Sequence, residues 1–131
     1  MSEQQYDFII VGAGSAGSVL ANRLTANGRW KVLLLEAGDA SHPVSWMPAS
    51  FGLLINNPAA NWLYSSAPEP GTRNRRIPVP RGKLLGGSSA INGLVFVRGQ
   101  ALDYDTWSQL GNRGWSFESV LPLFQRMEHF E

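Results

Sequence analysis

Apolar residues fall into three short groups within the first forty positions, and their spacing predicts a strand, a helix and a second strand. Residues 6–11 (Tyr6-Asp7-Phe8-Ile9-Ile10-Val11) are rich in β-branched and aromatic side chains, as strands are. Val19, Leu20 and Leu24 recur at helical spacing, and Asn27-Gly28 supplies a stop. Residues 31–35 then bring Val32-Leu33-Leu34-Leu35, the short unbroken apolar run of a buried parallel strand. Downstream the pattern weakens. Residues 39–70 read as an irregular excursion, because Pro43, Pro48, Pro58, Pro68 and Pro70 break any long element, with room for one short helix near residues 49–54. A helical pattern returns over residues 117–130 with Ser116 as N-cap. Pro122 lies beyond the first turn of that helix and predicts a kink or a later start. The chain has no internal repeat and no coiled-coil heptad.

Between the first strand and its helix stands Gly12-Ala13-Gly14-Ser15-Ala16-Gly17, and the second strand ends on Glu36. A strand, a glycine turn, a helix, a strand and an acid form the layout that seats the ADP half of a dinucleotide. A pyrophosphate is negative, and a helix N-terminus offers unpaired N–H groups with a partial positive charge. Gly12 lets the chain turn out of the strand, Gly14 removes a Cβ that would strike the pyrophosphate, and Gly17 lets the helix lie close to the sheet. Glu36 lies 24 positions beyond Gly12, near the usual distance for an acid that binds the adenosine ribose. A carboxylate there repels a 2′-phosphate, which argues against NADP. A chance glycine cluster in an ordinary turn is the competing account, and the strands and helix around the motif weigh against it. At this point NAD and FAD both remain open.

Composition narrows the class. With 131 residues and 44% hydrophobic side chains the chain can hold one small core. It has no cysteine, which excludes disulfides and thiolate metal sites; no metal site is expected. The start, Met1-Ser2-Glu3-Gln4-Gln5, lacks the basic and apolar regions of a signal peptide. No apolar run approaches the ~20 residues of a transmembrane helix, and a cytoplasmic protein is expected. A net charge of +1 gives no case for nucleic acid. The charge is unevenly spread: Glu69 and Asp103 bracket a stretch without acids that holds Arg73, Arg75, Arg76, Arg81, Lys83 and Arg98. Arg73, Arg75 and Arg76 read as a solvated basic loop. Arg81 and Lys83 abut a second glycine cluster and could face an anion.

That cluster is Arg81-Gly82-Lys83-Leu84-Leu85-Gly86-Gly87-Ser88-Ser89-Ala90-Ile91-Asn92-Gly93. Gly86 and Gly87 permit positive φ and close backbone approach to a ligand. Ser88, Ser89 and Asn92 add short polar groups beside free N–H groups, an anion nest leading into a helical turn. A flexible Gly/Ser loop is the alternative. The flanking apolar residues (Ile77, Val79, Leu84 and Leu85 before, Leu94-Val95-Phe96-Val97 after) predict a partly buried loop instead. Buried backbone needs partners, and a cofactor can supply them.

The chain resembles the N-terminal part of the glucose–methanol–choline (GMC) family of FAD-dependent oxidoreductases, in its choline dehydrogenase and alcohol dehydrogenase-like branch. Four stretches carry the resemblance: residues 10–17, 33–38, 80–93, and 97–99 followed by Asp103-Tyr104-Asp105-Thr106-Trp107. Residues 62–70 and Gly114-Trp115-Ser116 are similar as well. The third stretch resembles the family's first signature and is far more specific than the first glycine motif. The resemblance implies an α/β fold, a Rossmann-like FAD-binding βαβ unit, with residues 1–131 as the N-terminal part of the FAD-binding domain. It implies Gly12, Gly14, Ser15, Ala16 and Gly17 on the pyrophosphate and Glu36 on the ribose, with Ala37, Arg81 and Leu85 among the contacts. Gly86, Gly87, Ser88, Asn92, Gly93, Leu94 and Val95 would follow the diphosphate, ribityl and isoalloxazine portion.

Some family members attach FAD through a His just before the Asn of this loop. Here Ile91 stands in that place, so non-covalent FAD is expected. The implied reaction is oxidation of a small-molecule primary alcohol to an aldehyde by hydride transfer to flavin N5; an NAD-linked dehydrogenase or a non-catalytic nucleotide-binding module are the alternatives. The family's second signature, its substrate domain and its C-terminal catalytic His have no counterpart here. The two histidines, His42 and His129, match no motif and read as surface residues, so no catalytic residue is assigned. Trp46, Trp62, Trp107 and Trp115 read as packing or interface residues.

Overall fold

The computed structural model describes residues 4–128, so the surface reading of His129 and the last residues of the expected terminal helix lie outside the described residues. The chain divides into two compact units, one running to Leu94 and the other beginning at Val95.

In the first unit, strand β1 (Phe8–Val11) and strand β2 (Val32–Leu35) pair in parallel, Phe8 opposite Val32 and Val11 opposite Leu35. Helix α1 (Ser15–Thr25) connects them and packs on both. This is the βαβ unit that the apolar spacing predicts. The Gly12 N–H extends the pairing to the Leu35 carbonyl at 2.7 Å, so the turn leaves the sheet still tethered to β2. Close packing of α1 depends on Gly17, where a Cβ would fall 1.9 Å from the Gly12 carbonyl oxygen.

The expectation of buried strands is corrected. Ile10 is buried, but Ile9 is 63% and Val11 83% exposed, because this sheet has two strands and one covering helix among the described residues. A parallel sheet needs cover on both faces to bury its side chains. The core forms elsewhere. Leu54, Ala60, Leu84 and Ile91 cluster with Val44 and Ala90 packed against them, so the irregular excursion and the second glycine loop bury each other. The short helix expected near residues 49–54 is present as a 3-10 turn (Pro48–Ser50) running into α2 (Phe51–Leu54).

The excursion is not wholly irregular. Strand β3 (Tyr64–Ser65) pairs antiparallel with β4 (Pro78–Val79). Asn61, 2% exposed, ties this region together. Its Oδ1 accepts from the backbone N–H groups of Leu63 and Arg81, and its Nδ2 donates to the Ile55 carbonyl. One buried amide thereby meets three backbone groups that would be costly to leave unpaired.

The second unit is a helical hairpin, α3 (Ala101–Gln109) and α4 (Phe117–Met127), joined through Gly111 and Gly114 at positive φ. Tyr104 lies at its centre, with the rings of Trp107, Phe117 and Phe124 at 5.4–6.0 Å. Trp107 and Trp115 meet edge to face at 5.8 Å. Arg98 pairs with Glu128 and lies over the Phe124 ring. The Ser116 oxygen accepts from the Ser119 N–H, as its N-cap reading requires. The later start expected from Pro122 does not occur: α4 begins at Phe117 and carries Pro122 inside it. Lacking an N–H, Pro122 cannot bond back to the Glu118 carbonyl.

Candidate functional site

The site is built where the two glycine clusters meet. At the end of β2, Glu36 folds back onto the first turn. Its Oε2 accepts from the Ala13 N–H at 2.8 Å, and its Oε1 accepts from those of Ala37 and Gly38 at 2.9 and 3.1 Å. Partial burial pushes the Glu36 carboxyl up, but the N–H groups of Ala13, Gly38 and Ala37 outweigh it and hold the group below its ordinary value. A carboxylate oxygen has two acceptor directions. Oε2 therefore keeps one for a further donor, such as a ribose hydroxyl.

Beside Glu36, α1 presents its N-terminus. Its first turn has no acidic residue and no side chain caps it. The amides that begin the helix are thus left to an anion or to water.

The second cluster lies directly on the first, backbone against backbone. The Gly86 N–H donates to the Ala13 carbonyl at 2.8 Å, and the Leu85 N–H to that of Asp39 at 2.9 Å. The Ser88 hydroxyl accepts from the Gly82 N–H at 3.1 Å. Several glycines are fixed by this contact. A Cβ on Gly82 would fall 2.1 Å from the Gly87 oxygen, one on Gly87 2.8 Å from the Gly14 Cα, and one on Gly38 1.8 Å from the Lys83 oxygen. Gly14 is different. A Cβ there would meet only the Gly87 Cα, at 3.9 Å, an ordinary contact. Gly14 has φ −77°, open to any residue. The fold does not require glycine at this position, whereas a ligand lying on the helix N-terminus would.

Around Gly14 opens a cleft of about 480 Å³, in the range of small-molecule sites. The first turn contributes Val11, Gly12 and Gly14, and the end of β2 contributes Leu35, Glu36 and Ala37. Trp62, Arg81, Gly82, Gly87 and Ser88 complete it.

Of the residues expected from the sequence, Gly12, Gly14, Glu36, Ala37, Arg81, Gly87 and Ser88 thus converge on one cleft. Ser15, Ala16 and Gly17 form the first turn of α1, and Gly17 is buried under the sheet turn rather than open to a ligand. Leu85 and Gly86 join the two clusters through their amides. Asn92, Gly93 and Leu94 are exposed, and Val95 falls in the other unit. The expectation of a partly buried loop holds for Leu84, Gly87 and Ile91, while Leu94, Val95, Phe96 and Val97 are exposed.

Arg81 lines the cleft, with its guanidinium donating to the Pro80 carbonyl. Lys83 instead lies 5.1 Å from the centre of the Trp62 ring, which stacks on Tyr64. Trp62 and Gly82 lie in stretches that resemble the family but do not read there as site residues, and the buried Asn61 sits in a stretch without periodicity. His42 is half-buried rather than on the surface, contacting the Asn57 amide at 3.1 Å and accepting from the Val44 N–H. Among the described residues no group of side chains could hold a metal ion, and no helix is long and apolar enough to cross a membrane.

Comparison with known proteins decides which dinucleotide family uses this arrangement. Residues 6–130 match the family model of the GMC oxidoreductases. The chain belongs to the GMC oxidoreductase family. The family's cofactor is FAD. An oxygen-dependent choline dehydrogenase of Rhizobium etli is 52% identical over 126 residues, which are 95% of this chain and 23% of that protein. The crystal structure of pyridoxine 4-oxidase from Mesorbium loti matches with a TM-score of 0.85 and 38% identity, over 92% of this chain and 24% of that one. An FAD-dependent oxidoreductase from Chaetomium thermophilum matches with a TM-score of 0.74 and 37% identity, over 92% and 20%. The chain thus spans about a quarter or less of the length of these GMC relatives.

Proposed function

We propose that this chain is the FAD-binding N-terminal part of a flavin-dependent oxidoreductase that converts a small-molecule primary alcohol to its aldehyde. Oxygen-dependent choline dehydrogenases are among the relatives it matches, and the proposed reaction is of the kind that oxidises an alcohol such as theirs. One observation carries the cofactor reading: Gly14 has room for a Cβ and lies in a cleft between an uncapped helix N-terminus and a fixed carboxylate. When bound, FAD supplies the redox chemistry by accepting hydride at N5.

The chain's own residues bind and orient. The first amides of α1, at Ser15 and Ala16, lie to hand for the pyrophosphate, with Gly14 bare beneath it. Arg81 adds positive charge at the same cleft. Glu36, held by three backbone amides, offers its remaining Oε2 direction to the ribose. Because the carboxylate is already fixed, little order is lost when the ribose arrives. Residues 86–94 are assigned to the diphosphate, ribityl and flavin side. Ile91 offers no nucleophile for a covalent link, so the cofactor is held without one. The cytoplasm is the proposed compartment.

The test is acid precipitation of the full-length protein as it purifies. All flavin is expected in the supernatant as FAD. Flavin retained in the pellet would contradict the non-covalent assignment, and a protein that carries no flavin would contradict the cleft's assignment.

A further inference from the structure

The wall of the cleft that carries Trp62, Arg81 and Gly82 is a short antiparallel ladder with a break in it. Asn61 faces Gly82 on one side of the break and Tyr64 faces Val79 on the other, so the register is the same on both. The Lys83 N–H donates to the Ala60 carbonyl at 2.8 Å, and the Trp62 N–H to the Arg81 carbonyl at 2.9 Å. In an unbroken ladder Trp62 and Arg81 would exchange both bonds. Here the Arg81 N–H goes instead to the Asn61 Oδ1, at 3.0 Å. Leu63 has left the strand, with φ +56°, and its N–H goes to the same oxygen at 3.0 Å.

A left-handed leucine is strained and persists only where its surroundings fix it. The Asn61 amide does so from a buried position, with its Nδ2 anchored on the Ile55 carbonyl. Across the break the Trp62 and Tyr64 rings stack, with centroids 5.8 Å apart and planes 5° from parallel.

We propose that Asn61 is a positioning residue for the cofactor: its Oδ1 holds the broken ladder in the course that sets Trp62 and Arg81 along the cleft. The proposal rests on the assignment of that cleft to FAD. Asn61 does not itself line the cleft, so its effect on binding passes through these two neighbours. The two ends of the amide have separate tasks. Nδ2 serves stability through Ile55, while Oδ1 serves the site.

The test is FAD titration of the full-length apoprotein, paired with its unfolding midpoint without flavin. Asn61→Ala should weaken FAD binding about tenfold, the equivalent of one lost hydrogen bond, and lower the midpoint. Asn61→Asp keeps an acceptor for both N–H groups and loses the donor to Ile55. It should bind FAD within about threefold of wild type while its midpoint falls. Trp62→Ala combined with Arg81→Gln should weaken FAD binding by itself. Added to that pair, Asn61→Ala should lose no further affinity and still lower the midpoint, because residues that act through one another are not additive. If Asn61→Ala does not fold, Asn61→Ser carries the same comparison, its hydroxyl reaching the Leu63 N–H but not that of Arg81. Wild-type affinity in the Trp62→Ala, Arg81→Gln protein would overturn the cleft's assignment and the proposal with it. Weak binding there, with wild-type affinity in Asn61→Ala, would overturn the proposal alone. So would equal weakening by Asn61→Asp and Asn61→Ala, or an Asn61→Ala loss undiminished in the paired background.

Discussion

The two glycine clusters look alike in sequence and differ in what requires their glycines. In the second, Gly82 and Gly87 are demanded by the protein, because a Cβ on either would collide with backbone. In the first, Gly17 is demanded in the same way by the Gly12 carbonyl, and Gly12 by its φ of +94°. Gly14 alone among these has neither reason. A glycine that the fold does not need, placed on an uncapped helix N-terminus inside a cleft, points outward to a ligand. The comparison therefore separates residues that assemble the site from a residue that admits what binds there.

Substitutions at the assembling glycines should have the largest effects on stability. Gly17→Ala and Gly82→Ala each force a methyl against fixed backbone, and each should lose about 3 kcal/mol, the upper end of ordinary overpacking. Denaturant unfolding without flavin measures this. A loss well under 1 kcal/mol at either position would mean that the clusters slide apart cheaply, and would remove the distinction from Gly14.

Glu36 joins the two strand ends, so its effect should be smaller but visible in the same experiment. Glu36→Gln keeps the shape, leaves one acceptor oxygen for three donors and removes the charge. About 1 kcal/mol of stability should go, a charged hydrogen-bond contribution reduced for a half-exposed site. Unchanged stability would show that the clasp at Ala13 is incidental.

The smallest effect is a pH dependence. The Glu36 carboxyl is held below its ordinary value in the folded chain. The unfolded state therefore takes up its proton first as pH falls. The stability it contributes is present above the ordinary glutamate range and is lost as pH drops through the lowered folded value. Glu36→Gln should remove that part of the acid limb. An acid limb identical in both proteins would assign the loss to other carboxylates.

Much of the first unit was legible. The β1–α1–β2 order, the helix stop at Asn27-Gly28 and the position of Glu36 follow from spacing and turn chemistry alone. The core did not. Leu54, Ala60, Leu84 and Ile91 come from stretches with neither helical nor strand period, and only their packing together makes them a core. Helix α3 escaped notice because Gln100 occupies its N-cap, a residue outside the usual capping set, while Asp103 accepts from the Gln100 N–H. Asn61 carries no motif of its own, and Trp62, though it opens a stretch that resembles the family, reads as a packing residue. They reach the site because the buried Asn61 amide holds the Arg81 backbone beside them.

The most direct test is FAD affinity in Gly14→Val, measured by equilibrium titration of the full-length protein and paired with its unfolding midpoint in the absence of flavin. The midpoint should stay close to wild type, because the added Cβ meets only the Gly87 Cα, at an ordinary 3.9 Å. FAD affinity should fall at least ~100-fold, about 2.7 kcal/mol, and added salt should not restore it. Wild-type affinity in a folded Gly14→Val protein would show that the pyrophosphate does not lie on this turn, and would contradict the account.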